Sequence, residues 1–289
     1  MSRRLLAFLF LTGAALLLLG ALWFFWPSAG ESRNVIVLMY HDIREEPADG
    51  NPWVISKDAF RHQLETLQEL GFEVVTFDDL IAFVDHGAYL PALPLVITFD
   101  DGYLSNLTLA APILEELNMS AIINIIGEAR GKSTYRDTDI PRIPHFSFDE
   151  VRPWVKRGVI QIGHHTYDMH MAREHETPET YRGGVLQRDD ETDEEYKEAF
   201  INDFKTLEAQ IKRYLGKSVT VFAYPGGGFS EDTEAMLREL GVRVTLTTNW
   251  GSNVIERGNP ESLFLLNRIN MTEDLTGEAL IMHFEMLKG

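Results

Sequence analysis

Short runs of apolar and β-branched residues alternate along the chain with segments whose apolar positions recur at helical spacing. The runs predict buried strands at residues 34–40, 72–76, 94–99, 121–126, 159–162, 219–223, 242–247 and 264–269. The segments between them predict helices at residues 56–70, 78–84, 109–117, 147–157, 192–215 and 230–240, with a last helix from Leu275. Regular alternation with short connections indicates parallel strands covered by helices, arranged as a barrel or as a doubly wound sheet.

Two polar stretches interrupt this alternation, one at residues 127–145 and one that follows His170 and runs to Glu191. A loop as long as the first is uncommon unless it is functional or mobile. The chain shows no internal repeat, low-complexity segment or interior domain boundary. Residues 34–289 are therefore predicted to form one domain.

The N-terminal segment is predicted to span a membrane. Residues 5–26 are uncharged and almost wholly apolar, and a helix of this length crosses a hydrocarbon core of about 30 Å. Arg3 and Arg4 precede the segment and two tryptophans close it, an order that places the N-terminus in the cytoplasm. Residues 1–33 are thus predicted to hold a cytoplasmic stub, a single-pass signal anchor in the cell membrane and a short linker, with the following domain outside.

A cleaved signal peptide is the alternative to a retained anchor. Its apolar region is usually shorter, about 7–15 residues. Ser28 and Gly30 are nevertheless small enough to permit cleavage. Removal of residues 1–30 would make the domain a secreted protein.

Composition excludes several kinds of site and partner. The chain has no cysteine, which rules out disulfides, a thiol nucleophile, thiolate zinc ligands and a lipid-modified cysteine. The formal net charge of −18 argues against a nucleic-acid partner and favours solubility. The sequence indicates no protein partner.

Polar clusters directly follow four of the predicted strands. They are His41-Asp42, Asp100-Asp101, the segment from His165 to His170 and the segment from Tyr224 to Gly228. In parallel α/β folds, active sites are built at the carboxyl ends of strands. Asp100 and Asp101 are neighbours on an extended chain, so their side chains point in different directions and are expected to do different jobs. Taken alone, Asp-Asp-Gly is also compatible with a simple turn after a strand.

Two histidines and one aspartate are the best metal candidates. His165 and His170 with one carboxylate and open positions are typical of a hydrolytic or oxidative metal site. Because the histidines are five residues apart, neither a helix nor a strand would point both rings to one side, and a loop is predicted. Zinc fits this ligand set best, and cobalt, nickel and iron(II) are compatible with it. His164 is expected to point into the wall.

Three segments resemble the first three motifs of the polysaccharide deacetylase family (carbohydrate esterase family 4, the NodB homology domain). They are Thr98-Phe-Asp-Asp-Gly102, His165-Thr-Tyr-Asp-Met-His170 and Phe222-Ala-Tyr-Pro-Gly-Gly227. Val37-Leu-Met-Tyr-His-Asp42 is similar to the family's final Leu-x-His motif, moved to the N-terminal side as in the branch of the poly-β-1,6-N-acetylglucosamine deacetylases. The resemblance covers residues 34–270 and implies a distorted (β/α) barrel of about seven parallel strands.

The resemblance also implies metal-dependent hydrolysis of N-acetyl groups on sugars. The metal ligands would be Asp101, His165 and His170. Asp100 would be the general base for the attacking water, and His41 would be the acid that protonates the leaving amine. The backbone N–H of Gly226 would help to hold the oxyanion.

The third motif and a late strand depart from the family pattern or leave alternatives open. Many relatives have an arginine where this chain has Ala223, and Arg268 is a candidate replacement, with a surface or salt-bridge role as the alternative. Tyr224 and Pro225 are expected to contact substrate. Trp250 is expected either to contact substrate or to pack in the core.

A second histidine competes with His41 for the role of the acid. His283 ends the segment Leu-Ile-Met-His and mimics the Leu-x-His motif. We expect it to be a decoy, because His41-Asp42 fits better and precedes the domain as the resembling branch requires.

The sequence therefore predicts a membrane-anchored extracellular deacetylase that acts on an N-acetylglucosamine-containing glycan of a cell wall or biofilm. Its partners would be the acetylated polysaccharide and the membrane. One alternative is an esterase that removes O-acetyl groups, for instance from xylan. The other is a catalytically inactive glycan-binding module.

Overall fold

The fold was analysed in a computed structural model, which describes residues 30–46, 50–135, 138–170 and 184–287. The predicted membrane segment at residues 5–26 lies outside these ranges, as does most of the second polar stretch. Within the described ranges, no helix is both long enough and apolar enough to cross a membrane.

A curled sheet of mainly parallel strands forms the body of the domain. In the described part of the chain the strands are β1 (Ser32–Tyr40), β2 (Asp42–Arg44), β3 (Val54–Ser56), β4 (Glu73–Val74), β5 (Pro94–Phe99), β6 (Ala121–Ile125), β7 (Ile160–His164), β8 (Val221–Ala223), β9 (Val244–Leu246), β10 (Asn253–Glu256) and β11 (Ile269–Asn270). The order across the main sheet is β10-β1-β5-β6-β7-β8-β9, and every neighbouring pair from β1 to β9 is parallel. Strand β10 is antiparallel to β1, and β2 and β3 form a separate small sheet.

The chain around β11 brings the two sides of the sheet together. Leu266 forms a parallel bridge with Leu246 of β9. Three residues later, Ile269 of β11 pairs in parallel with Leu38 of β1. One short segment thus contacts both β9 and β1, and the curled sheet is consistent with the distorted (β/α) barrel that was predicted.

Helices cover this sheet, and four of them begin where the sequence predicts a helix to start. They are α1 (Lys57–Glu69), α2 (Phe77–His86), α3 (Ala111–Glu116), α4 (Phe148–Arg157), α5 (Asp193–Leu215), α6 (Glu231–Glu239) and α7 (Gly277–Leu287). Ser147 and Thr192 each form a full capping box with the glutamate three residues on. Ser56 and Ser230 are N-caps as well, which confirms four predicted helix starts.

Two predicted elements differ from the structure. The strand predicted at 264–269 is reduced to β11, because Pro260–Leu263 forms a 3₁₀ turn and Leu265 has a φ of 55°, which interrupts an extended backbone. The helix predicted at 109–117 begins earlier, with a π-helical turn at Asn106–Ala110, and only then continues as α3.

Side chains on the parallel strands alternate between an inner and an outer core. Val35 and Val37 of β1 pack inward with residues of β5, β8 and β9, whereas Ile36 and Leu38 pack outward. On β8 the inner residues are Val221 and Ala223. Because both faces of the strands are buried, they read as continuous apolar runs in the sequence.

Candidate active site

The carboxyl ends of β1, β5, β7 and β8 meet at one rim of the barrel. Tyr40 pairs with Phe99, and His164 pairs with Phe222. Beyond β5, the Asp100 N–H donates to the Tyr40 carbonyl over 3.0 Å. The four polar clusters that follow these strands are therefore brought to one edge, as predicted.

Alternation of side chains along each strand decides which rim residues face inward. On β1 the inner positions Val35 and Val37 continue in steps of two to His41. On β5 the inner position Val96 continues to Asp100. The base and the acid implied by the family resemblance thus lie on the inner side of their strands.

Asp101, His165 and His170 gather at this rim with a spacing that suits a metal ion. Each offers one donor atom, and the three donor atoms lie within 4.8 Å of one another. Asp101 Oδ1 is 3.2 Å from His170 Nε2 and 3.5 Å from His165 Nε2. Two ligands about 2.0–2.1 Å from a tetrahedral ion are separated by roughly 3.4 Å. These distances match that separation.

The state of the donor atoms also fits a metal. Asp101 Oδ1 is buried and accepts no hydrogen bond from the residues that the structure describes. His165 Nδ1–H donates to the Ala223 carbonyl over 2.7 Å, so its Nε2 keeps a lone pair that faces Asp101. Burial is the main cause that lowers the pKa of His165 to about 4, and the ring is neutral at pH 7. Zinc, cobalt, nickel and iron(II) all accept one carboxylate and two neutral imidazoles.

A tight loop after β7 places the two histidines, as the spacing predicts. Thr166, directly after His165, has a φ of 69°, which turns the chain sharply. The carboxylate of Asp203 on α5 then accepts the backbone N–H groups of Tyr167 and Asp168 over 2.7 and 2.6 Å. Asp203 lies 33 positions beyond His170 in an ordinary helix, and nothing in the sequence marks it as part of the site.

Asp100 lies in a buried pocket beside the three donor atoms. Arg268 Nη1 donates to Oδ1 over 2.8 Å and Nη2 donates to Oδ2 over 2.7 Å. Asn124 Nδ2 donates to Oδ1 over 2.8 Å. Burial alone would raise the pKa of Asp100, but the charge and hydrogen bonds of Arg268 hold this pKa well below its usual range.

Arg268 is therefore not a surface residue. Its side chain is 0% exposed, and its Nε donates to the Thr247 carbonyl over 2.7 Å. The salt bridge that the sequence offered as an alternative exists, and its partner is the candidate base Asp100. Ala223, where many relatives have the arginine, uses its carbonyl to hold His165 instead.

His41 lies at the same rim, where its carbonyl accepts a hydrogen bond and its ring contacts Trp53. Asn106 Nδ2 donates to the His41 carbonyl over 2.7 Å. Burial lowers the pKa of His41, against the opposing charges of Asp101 and Asp100, so that the resting ring is neutral at pH 7. The ring of Trp53 lies 4.7 Å from the His41 ring, and 46% of Trp53 is exposed. Trp53 was not singled out in the sequence, because the loop around it shows no periodic pattern.

Two further residues that the sequence analysis did not single out, Tyr103 and His145, form the wall next to Asp101. Tyr103 and His145 form an antiparallel bridge, and their rings lie 4.8 Å apart. His145 Nδ1–H donates to the Ile143 carbonyl over 2.7 Å. Burial, helped by Arg142, lowers the pKa of His145 to about 4. Burial and then the charge of Asp101 raise the pKa of Tyr103.

The third motif contributes backbone rather than the tyrosine ring. Tyr224 is 0% exposed, and its hydroxyl donates to Glu234 on α6 over 2.8 Å, so the expected substrate contact by this side chain is wrong. Side chains alternate between the two faces along a strand, so Tyr224 faces outward if Ala223 faces inward. Pro225 is also buried, whereas Gly226 is exposed with a φ of 60° and open space where a Cβ would be.

Three remaining sequence candidates take different places. His164 is buried, donates through Nε2 to the Phe204 carbonyl and accepts the Thr166 N–H at Nδ1, in agreement with its expected wall position. Trp250 is 62% exposed, which excludes the core alternative, and its ring lies 5.3 Å from that of His283 on α7. Substrate binding by Trp250 stays a prediction.

Comparison with known proteins agrees with this geometry. A family model described as polysaccharide deacetylase matches residues 90–245, which is more than half of the chain. YxkH of Bacillus subtilis, which is named for the same family, is 24% identical over 91% of this chain and 80% of its own length. The poly-β-1,6-N-acetyl-D-glucosamine N-deacetylase of Escherichia coli is 23% identical over 78% of this chain, which spans only 35% of that larger protein.

Solved structures show the same fold. A de-N-acetylase from Aggregatibacter actinomycetemcomitans superposes with a TM-score of 0.72 and 22% identity, covering 87% of this chain and 99% of that one. IcaB from Ammonifex degensii superposes with a TM-score of 0.66 and 24% identity, covering 84% and 94% of the two chains. The predicted family and its poly-β-1,6-N-acetylglucosamine deacetylase branch are thereby confirmed.

Proposed function

Because this chain belongs to the polysaccharide deacetylase family, we propose that it is a metal-dependent hydrolase that removes N-acetyl groups from an N-acetylglucosamine-containing extracellular polysaccharide. The observation that carries the proposal is a pair of adjacent pockets. One presents three donor atoms spaced for a metal ion, and the other holds an ionised carboxylate against a buried arginine. The names of the N-deacetylase relatives support an amide on a polymeric sugar as the bond cleaved.

Asp101, His165 and His170 are the proposed metal ligands. A divalent ion bound there, most simply zinc, would supply Lewis-acid chemistry by lowering the pKa of a water and polarising the acetyl carbonyl. The neutral state of His165 and the unsatisfied Asp101 oxygen leave both side chains ready to act as ligands.

The surrounding residues move the protons. Hydrolysis adds water to the acetyl carbon and breaks its bond to nitrogen, which releases acetate and a free amine. Asp100, kept ionised by Arg268, accepts a proton from the attacking water. His41, whose resting ring is neutral, takes up a proton, for which the proton that Asp100 removed from water is the source, and passes it to the nitrogen as the bond breaks. The N–H of Gly226, on an open and exposed turn, donates to the oxygen that carries the developing charge.

The test is acetate release by the purified 289-residue chain from N-acetylglucosamine oligomers, with added zinc, cobalt or nickel. We expect metal-dependent release that Asp101→Asn abolishes. No release from any N-acetylated glycan by a folded, metal-loaded chain would contradict the proposal.

An O-acetyl esterase would use the same site, so the same assay needs a second substrate. Acetylated xylan oligomers should release acetate more slowly than N-acetylated oligomers of similar length. The reverse order would make the esterase the better assignment. A chain that binds glycan but cleaves neither substrate would be a binding module.

We also propose that the domain lies outside the cell on a membrane anchor at residues 5–26. The charge order around this segment supports the orientation. Protease added to intact cells should then digest the domain, and the protein should stay with the membrane fraction. Recovery of the intact domain from the medium would favour cleavage near residue 30.

A further inference from the structure

Arg268 and Asn124 donate hydrogen bonds to the carboxylate of Asp100, and its two oxygens accept unequal numbers of them. Arg268 donates one hydrogen bond to each oxygen, over 2.8 Å to Oδ1 and 2.7 Å to Oδ2. Asn124 on β6 adds a third bond, from Nδ2 to Oδ1 over 2.8 Å. Among the described residues, Oδ1 therefore accepts two hydrogen bonds and Oδ2 accepts one.

This asymmetry selects the atom that can take a proton. Each carboxylate oxygen has two lone pairs in the carboxylate plane. The fork of Arg268 alone would leave one lone pair on each oxygen, so that either could act as the base. With Asn124 present, both lone pairs of Oδ1 are occupied and the remaining one belongs to Oδ2.

A buried asparagine at position 124 is expected to cost folding stability. It is 0% exposed, and no residue within the described ranges donates a hydrogen bond to its Oδ1. A buried amide that is satisfied at only one end destabilises a protein relative to an apolar side chain of the same size. The neighbouring inner position on the same strand is Ile122, which shows that this layer accommodates a branched aliphatic side chain.

The backbone opposite Asn124 is shaped to receive it. Gly163 of β7 pairs directly with Asn124. A Cβ on Gly163 would lie 2.1 Å from Asn124 Oδ1, a contact that would force the amide away from Asp100. The close approach of Asn124, together with Ile122 Cδ1 at 3.1 Å, therefore favours glycine at position 163.

We propose that Asn124 is a positioning residue that assigns the proton-accepting role of Asp100 to Oδ2 by filling the second lone pair of Oδ1. This inference rests on the proposed role of Asp100 as the general base. It needs no contact between Asn124 and the substrate. Loss of the amide would free Oδ1 to compete with Oδ2 for the proton, and a proton taken by Oδ1 would not advance the reaction.

The first test is Asn124→Leu, which keeps the volume and removes the donor. Misplacement of a reacting group by about 1 Å can cost about 10²-fold in rate. We expect kcat to fall about 10- to 100-fold, with KM and bound metal unchanged. The matched control is Gln63→Leu, because Gln63 is a buried amide whose Nε2 donates to the Thr272 carbonyl in the outer core. This control should keep its kcat.

The second variant keeps the amide and moves it. Gly163→Ala should lower kcat like Asn124→Leu, since its new Cβ displaces the side chain. In an Asp100→Asn background, neither substitution should lower kcat further, because the base through which Asn124 acts is gone. An unchanged kcat in Asn124→Leu, or an equal loss in both backgrounds, would overturn the positioning role.

Unfolding of the metal-free chain gives a readout that does not depend on activity. If the amide holds the carboxylate, the stability changes caused by Asn124→Leu and Asp100→Asn should be non-additive. Strictly additive changes would overturn the inference even if no acetylated substrate were cleaved. A wild-type chain that releases no acetate would instead contradict the proposed function, so the two failures can be told apart.

Discussion

Two adjacent pockets at the barrel rim differ in how their polar atoms are satisfied. Around Asp100, both carboxylate oxygens accept short hydrogen bonds from buried donors. Around Asp101, one residue further on, a buried oxygen accepts none from the described part of the chain and faces two histidine nitrogens. A satisfied network fixes a group in place, whereas an unsatisfied buried atom is costly unless a ligand completes it.

The contrast assigns roles to two side chains of identical chemistry. Asp100 is held ionised and oriented, which suits a base. Asp101 has a buried Oδ1 that accepts no hydrogen bond from the described residues and faces two histidine nitrogens, which suits a metal ligand. Substitutions in each pocket, and at the histidines beside them, test this division of roles.

Asp101→Asn should produce the largest effect, because it removes the negative charge of a proposed metal ligand. A metal contributes several kcal/mol to the transition state, and each ~1.4 kcal/mol is a factor of ten in rate. Activity should fall at least about 10³-fold, together with the metal content measured by elemental analysis. Asp149→Asn, at a surface aspartate on α4, is the control and should change neither. Full metal binding by the Asp101 variant would refute the ligand set.

His41→Ala should come next, because it removes the acid and leaves both pockets intact. General acid catalysis is worth about 10²- to 10⁴-fold, and kcat should fall within that range with metal content unchanged. His283→Ala on α7 is the comparison, since this ring contacts Trp250 and Phe284 rather than the aspartates. A large loss in the His283 variant with none in the His41 variant would reverse the assignment of the acid.

Arg268→Met should break the satisfied pocket by leaving the Asp100 charge buried without its partner. Removing one member of a buried ion pair costs about 3–5 kcal/mol of stability, which a urea titration measures. Arg243→Met is a matched control, because its bidentate pair with Asp85 is partly exposed and is worth about 0–1 kcal/mol. A loss no greater than that of the control would show that the Asp100 pocket is not closed to water.

Much of this contrast could be predicted from the sequence, and the missed parts have one cause. Apolar runs that end in carboxylates or histidines located the strand ends and the two candidate histidine ligands, and the family resemblance singled out Asp101 as the third candidate. A surface position was one alternative for Arg268, and it is wrong. The predicted strand is interrupted at Leu265, and Arg268 lies 168 positions from its partner Asp100. A pairing over that distance depends on closure of the barrel, which local patterns do not encode.

Other errors could have been avoided by applying the period of two more strictly. It places Tyr224 outward and Ala223 inward, so the tyrosine could not reach a substrate at the rim. It also places Asn124 inward beside Asp100, and a polar residue at an inner position of an apolar strand indicates a role in the site. The same rule correctly separated His164 from His165.

The smallest effect concerns His164, the structural neighbour of a proposed ligand. Burial lowers its pKa from about 6.5 to about 3, so between these values the unfolded chain binds a proton that the folded chain does not. The stability due to the neutral ring is complete above pH 6.5 and is lost as the pH falls toward 3, at about 1.4 kcal/mol per pH unit. His164→Gln keeps a donor for the Phe204 carbonyl but cannot titrate. Urea titrations of metal-free protein from pH 4 to 7 should give the variant a shallower slope, because His165 titrates equally in both proteins; equal slopes would mean that His164 is charged in the fold.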